Sequence, residues 1–140
     1  MQNWKEGIFL CSLYGTKSGR KKFSLTYFER LHNECDFKRV FRKGLKLENR
    51  IIKILAYTRE DGQELRRLGL VTSKRVGSAV ARNKTKRRIR EIFRTNKYFL
   101  IPGLDLVFIL KLEASMVSYK KLEAAILILL KNAKLYVVPE

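Results

Sequence analysis

Residues 70–91 read LVTSKRVGSAVARNKTKRRIRE. The first residues continue an apolar stretch that reads as a strand near residues 67–73. From residue 78 to residue 95 the chain has helical character, with Ala79, Val80, Ile89, Ile92 and Phe93 as its apolar residues. At about 100° per residue, Ile89, Ile92 and Phe93 share one arc of the helix. Asn83, Lys86, Arg87, Arg90 and Arg94 share another. A strand that feeds such a helix implies a sheet for the apolar arc to dock on, and a cationic arc left facing outward.

That arc belongs to a longer run. Arg66, Arg67, Lys74, Arg75, Arg82, Lys84, Lys86, Arg87, Arg88 and Arg90 are ten cations with no acidic residue among them. Like-charged neighbours such as Arg82/Lys86 and Lys84/Arg88 stand one turn apart, which weakens a helix. Arginine forks and an asparagine amide suit phosphate oxygens. The run therefore predicts a polyanion-binding helix, RNA and DNA being equally compatible with it.

The whole chain agrees. Its 140 residues hold 31 Lys and Arg against 13 Asp and Glu, a formal charge of +18. Hydrophobic residues make up 46%, enough for a packed core, so the charge does not belong to a disordered basic tail. A folded chain this basic needs an anionic partner, nucleic acid or an anionic membrane surface. The composition argues against an enzyme acting alone on small neutral substrates. Cys11 and Cys35 form no CxxC motif or disulfide framework, which points to a reducing compartment. The apolar runs are too short to span a bilayer. Residues 1–16 make a poor secretion signal, because Glu6 interrupts the basic start.

Outward from the central stretch, the pattern predicts one α+β domain with a mixed sheet covered by helices. A first helix fits Asn33–Lys43, with Phe37, Val40 and Phe41 on one face, Asn33 or Asp36 as cap and Gly44 as its C-terminal stop. Residues 51–57 read as a strand, and the turn at Glu60-Asp61-Gly62 joins it to the strand at residues 67–73 in a hairpin. Pro102-Gly103 breaks the chain before an apolar strand at residues 104–112, buried on both faces. Tyr98 and Phe99 read as a helix exit packed on the core. Ser118 caps a last helix over residues 119–133. Residues 1–23 read as a basic, flexible extension, and residues 24–140 as the domain.

Phe37 and Phe41, one turn apart, are either core residues or a stacking platform for unpaired bases. Tyr57 is a further candidate for such a platform. The carboxylates are scattered and His32 is the only histidine, so neither a two-metal nuclease site nor a histidine zinc site is predicted.

Residues 70–91 resemble the signature of the protein subunit of bacterial ribonuclease P. That signature is a strand ending in a Ser-Lys-Lys-like triplet, then Gly-x-Ala-Val, then Arg-Asn-x-x-Lys-Arg-x-x-Arg-Glu. Arg75 replaces the second Lys. Asp36–Gly44 is similar to the family's first helix and Gly103–Phe108 to its fourth strand, so the likeness covers about residues 30–136.

The resemblance implies an αβββαβα sandwich with a left-handed βαβ crossover, similar to a ribosomal-protein domain. It implies a cytoplasmic ribonucleoprotein that removes the 5′ leader of precursor tRNA, one protein per RNA, with neither DNA nor membrane as partner. The RNA subunit would carry the hydrolysis with Mg²⁺, and the protein no catalytic residue, cofactor or metal of its own. Arg82, Asn83, Lys86, Arg87, Arg90, Lys74 and Arg75 would meet the RNA subunit. Phe37, Phe41, Asn49, Arg50 and Tyr57 would line a cleft for the single-stranded leader. Many members carry Tyr where this chain has Leu55; Tyr57, two residues on, lies on the same face. A ribosomal structural protein is the rival reading, and needs no such cleft.

Overall fold

Six of the seven residues of Leu104–Leu110 are buried, and a strand apolar on both sides gains most from the middle of a sheet. This strand, β4, does lie inside. The computed structural model describes residues 25–137. In it, α1 (Glu34–Lys43) is followed by β1 (Leu45–Glu48), β2 (Ile52–Thr58), β3 (Arg67–Val71), α2 (Ala79–Asn96), β4 and α3 (Tyr119–Asn132). The four strands form one sheet in the order β1-β2-β4-β3. β1 and β4 both run antiparallel to β2, and β3 runs parallel to β4. The element order is thus αβββαβα, with β3–α2–β4 as the crossover between parallel neighbours. The expected extension of residues 1–23 lies outside the described residues.

The expected hairpin between β2 and β3 does not form, because β4 stands between them. Their connection wraps around the start of β4 instead. Arg59 N donates to Gly103 O (2.8 Å), and Gly103 N donates to Glu64 O (3.1 Å). Gly103 has a φ of +76°, and a Cβ there would stand 3.0 Å from Gln63 O, so the chain break falls on the residue that tolerates both. The hairpin that does form joins β1 to β2. Gly44 ends α1 in extended rather than left-handed conformation, with φ −69° and ψ 150°. Glycine is needed there because a Cβ would stand 2.4 Å from Val40 O. Asn33 occupies the N-cap position, but its side chain makes no cap hydrogen bond; its amide donates to Asp36 at 3.4 Å.

Side chains alternate across the sheet. Ile52, Ile54 and Ala56 of β2 join Leu106 and Phe108 of β4 in the large core, with Ile89, Ile92 and Phe93 of α2 and Leu122, Ile126 and Leu130 of α3. The other face carries a smaller cluster, Leu31, Phe37, Val40, Leu55 and Val107, beneath α1. Both long helices start as their sequences require. Ser78 accepts from Ala81 N (3.1 Å), and Ser118, as expected, from Lys121 N (3.3 Å).

One buried charge anchors α1 to the sheet. Asp105 on β4 is fully buried, and Arg67 grips it twice, through Nε (2.8 Å) and Nη2 (2.7 Å). Arg59 supplies a second guanidinium. Arg67 Nη1 also reaches Asp36 of α1 (3.2 Å), which pairs with Arg39 (2.9 Å). The Asp105 hydrogen bonds raise the Arg67 pKa above its ordinary value. A buried carboxylate is tolerable only with such partners. Among the described residues, no helix is long and apolar enough to cross a membrane.

Candidate nucleic-acid interface

α2 docks Thr85, Lys86, Ile89, Ile92 and Phe93 and leaves the opposite side open. Asn83, Lys84 and Arg87 are exposed, and Arg82 and Arg90 are half-buried. Just before the helix, Lys74 and Arg75 are exposed on a 3-10 turn. The structure therefore brings together most of the predicted RNA-facing set. Lys86 is the exception, only 5% exposed. Seven residues are two turns less about 20°, so Lys86 lies on the stripe of Phe93 rather than on the open arc. Lys84 joins the strip in its place; its membership of the charge run was the only signal for it.

The run of ten cations is thus not one surface. Arg66 Nε donates to Leu100 O (2.7 Å), Arg88 Nη1 donates to Val117 O (2.9 Å), and Arg67 holds Asp105 and Asp36. These three fasten the fold. Lys74, Arg75, Arg82, Lys84 and Arg87 form a strip along the turn before α2 and its first half, with Arg90, whose Nε donates to Lys86 O (3.3 Å), at its far end. The first turn of α2 has no acidic residue. Cations near the positive end of a helix dipole repel it, and an anion bound there relieves both.

The second site is the sheet face beside α1. Phe37 is 1% exposed and lies on Gly69, where a Cβ would stand 2.6 Å from its ring. It is a core residue, and the stacking reading of Phe37 is corrected accordingly. Phe41, Tyr57, Val71 and Ile109 are partly buried and fringe the same cluster. Leu55 is buried at the cluster's centre, and Tyr57 shares its face as expected. Lys53, paired in register with Ile109 and Glu48, puts a cation on this face. Two half-exposed rings, two aliphatic side chains and a cation make a surface on which unpaired bases can stack. Lys53, Val71 and Ile109 were not foreseen. The spacing Lys53, Leu55, Tyr57 was visible in the sequence, but the register that sets β4 and β3 beside it was not.

Asn49 does not face this surface. Its Oδ1 accepts from Ile51 N and Ile52 N (both 2.9 Å), and its Nδ2 donates to Ala125 O of α3 (3.4 Å). Its amide shapes the β1–β2 turn, which corrects its expected leader role. Arg50 is 90% exposed at that turn, 4.0 Å from Glu113. Tyr98 is 54% exposed rather than packed on the core, and Phe99 is half-buried, its ring centroid 5.6 Å from that of Tyr136.

Comparison with known proteins bears on this arrangement. The family described as Ribonuclease P matches residues 25–134. The ribonuclease P protein component of Clostridium novyi is 32% identical over 108 residues, 77% of this chain and 96% of that one. Its counterpart in Streptococcus pneumoniae is 37% identical over 107 residues, 76% and 85% of the two chains. Among solved structures, the Staphylococcus aureus RNase P protein superposes with a TM-score of 0.70 at 30% identity, covering 77% of this chain and 97% of its own. The Thermotoga maritima RNase P protein gives 0.65 at 37% identity, covering 74% and 96%. With a family match over residues 25–134 and relatives above 30% identity along nearly their whole length, the chain belongs to the ribonuclease P protein family.

Proposed function

We propose that this subunit of ribonuclease P docks on the enzyme's RNA through α2 and the turn before it, and holds the single-stranded 5′ leader of precursor tRNA beside α1. The observation that carries this reading is the cation strip of Lys74, Arg75, Arg82, Lys84, Arg87 and Arg90, backed by an arc of α2 fixed in the core. Six phosphate contacts would give binding to RNA a log–log salt slope of about −4 to −5. Phe41 and Tyr57 stack on leader bases, while Lys53 and Arg50 meet its phosphates. The two sites hold leader and catalytic RNA in one geometry, so the protein acts by positioning the scissile bond.

The described residues do not fit a metal held by the protein. Among the described residues no three His, Cys, Asp or Glu side chains cluster, and the buried Asp105 is engaged by two arginines. Mg²⁺ and the hydrolysis belong to the RNA in this reading, with one protein per RNA in the cytoplasm. Reconstitution tests it. The protein is mixed with a bacterial ribonuclease P RNA, and 5′ cleavage of precursor tRNA is assayed at low Mg²⁺. Cleavage should need the RNA and rise several-fold with protein. Steady cleavage by RNA-free protein, or no response to added protein, would sink the reading.

A further inference from the structure

We infer that the free edge of β1 pairs with the same edge of a second copy of this chain, joining two subunits through one continuous antiparallel sheet. β1 ends the strand order β1-β2-β4-β3, and among the described residues no strand lies beyond it. The other end of the sheet is covered. Arg30 bridges Leu68 of β3, and Leu31 N donates to Leu68 O (3.0 Å). β1 has no such cover among the described residues: Leu45, Lys46 and Glu48 are exposed and Leu47 is half-buried. Neither a proline nor a bulge interrupts it. An edge of this kind is a template for another strand.

The register fixes which backbone groups point outward. Asn49 N donates to Ile52 O (3.0 Å), so Asn49 and Ile52 are a hydrogen-bonded pair. Such pairs alternate along an antiparallel ladder. Leu47 opposite Ile54 and Leu45 opposite Ala56 therefore turn their N–H and C=O groups to β2. Lys46 and Glu48 turn theirs to the open edge. Two outward residues of opposite charge are self-complementary. With Leu47 on a two-fold axis, Lys46 of each copy stands opposite Glu48 of the other, and each such pair exchanges both of its N–H···O bonds. A slip of two residues sets Lys46 against Lys46 or Glu48 against Glu48, which repel. A slip of one sets outward groups against inward ones. Charge and hydrogen bonding thus select a single register. Glu48 stays an anion, because the hydrogen bond from Lys111 Nζ (2.5 Å) holds its pKa below the ordinary value. Lys46 and Glu48 lie opposite Leu55 and Lys53, on the face that carries α1. The axis is perpendicular to the sheet, so both surfaces beside α1 share one side and both α2 strips the other. Each subunit keeps its own RNA.

Four residues a side make a small interface, so the dimer is weak, with a Kd between about 1 μM and 1 mM. Sedimentation equilibrium of the full chain across that range, at about 0.15 M salt, reads it. The Debye length is then about 8 Å, which screens the general repulsion of two +18 chains but not contacts between paired strands. The mass should rise from that of one chain to that of two. Lys46→Glu and Glu48→Lys should each weaken the dimer by about 10-fold or more, because symmetry places two like-charged pairs in each. An equimolar mixture of the two variants should dimerise about as tightly as the wild type, since every cross-strand pair in the mixed dimer again joins opposite charges. Both positions are exposed, and circular dichroism checks that each variant folds. In the wild type, dimerisation should protect the Lys46 and Glu48 amides from hydrogen exchange and change those of Leu45 and Leu47 little; this pattern decides alone should a variant not fold. A chain that stays monomeric throughout, a dimer indifferent to both reversals, or protection gained away from β1 would overturn the assignment. Cleavage by the reconstituted enzyme is a separate readout, so the proposed function stands or falls independently.

Discussion

The two faces of the sheet are built for different ends. One is sealed by α2 and α3 over twenty buried residues; the other is covered by α1 alone over five, with four half-buried side chains at the fringe. α1 shows the contrast within a single turn. Phe37 is pressed against Gly69, while Phe41 remains partly open. A sealed face returns all its apolar area as stability. A half-covered face keeps rings accessible and needs another device to hold its helix in place. That device is the buried Asp105, which links β4 through Arg67 to Asp36 of α1.

The largest expected effect tests that device. Asp105→Ala leaves Arg59 and Arg67 facing each other in the interior and should cost about 3–5 kcal/mol in urea unfolding. A loss below about 1 kcal/mol would mean that apolar packing alone holds α1 and that the two faces are built alike. The next effect divides the two phenylalanines. Phe37→Ala removes a fully buried ring and should cost about 3–5 kcal/mol of stability. Phe41→Ala and Tyr57→Ala should each weaken leader-bearing precursor tRNA by about 1–3 kcal/mol. Neither should weaken mature tRNA, and both should cost far less stability than Phe37→Ala. If Phe41→Ala destabilises as much as Phe37→Ala and both tRNAs suffer equally, the open face is core after all.

A smaller effect separates neighbours on α2. Arg87 is exposed, whereas Arg88 is held by Val117 O. Arg87→Ala should reduce the salt slope of RNA binding by about 0.7–0.9 and leave stability unchanged. Arg88→Ala should keep the slope and lose roughly 1 kcal/mol of stability. The opposite pattern would exchange their roles.

Much of this was legible in the sequence, because it depends on local patterns. The three helices lie within a residue of where periodicity and Ser118 put them; β4 begins where its apolar run does, and β2 one residue later. Pairing was not local. Neighbouring strands joined by a turn usually pair, and that rule suggested a β2–β3 hairpin. The burial of β4 on both faces was the better guide, because such a strand must separate two others. β1 is only four residues long and its pattern was too short to read alone; the family's third strand was the one hint of it. Within the site, helical angle located the open arc of α2 but misplaced Lys86 at its margin. Asn49 and Phe37 look like binding residues on a sequence and prove structural. A turn's internal hydrogen bonds and a ring's contact with Gly69 exist only in three dimensions.

The smallest expected effect concerns Arg94, which shares the outer arc of α2 with Arg87 by angle but not by environment. Arg94 Nε donates to Glu91 Oε2 (2.8 Å), and this hydrogen bond holds the Glu91 carboxyl below its ordinary pKa. A depressed carboxylate pKa adds stability above the unfolded-state value of about 4.3 and loses it as pH falls through the folded-state value. Both side chains are only half-buried, 33% and 44% exposed, so solvent screens the pair and it is worth only about 0.2–1 kcal/mol. Arg94→Gln should therefore lower stability by that amount at pH 7. The difference from wild type should close only as the pH falls through the depressed Glu91 pKa of the folded wild-type chain. Because Arg94 is already paired, its loss should change the RNA salt slope by clearly less than Arg87→Ala does. A full unit lost from the slope would show that Arg94 leaves Glu91 for a phosphate, extending the cation strip one turn further along α2.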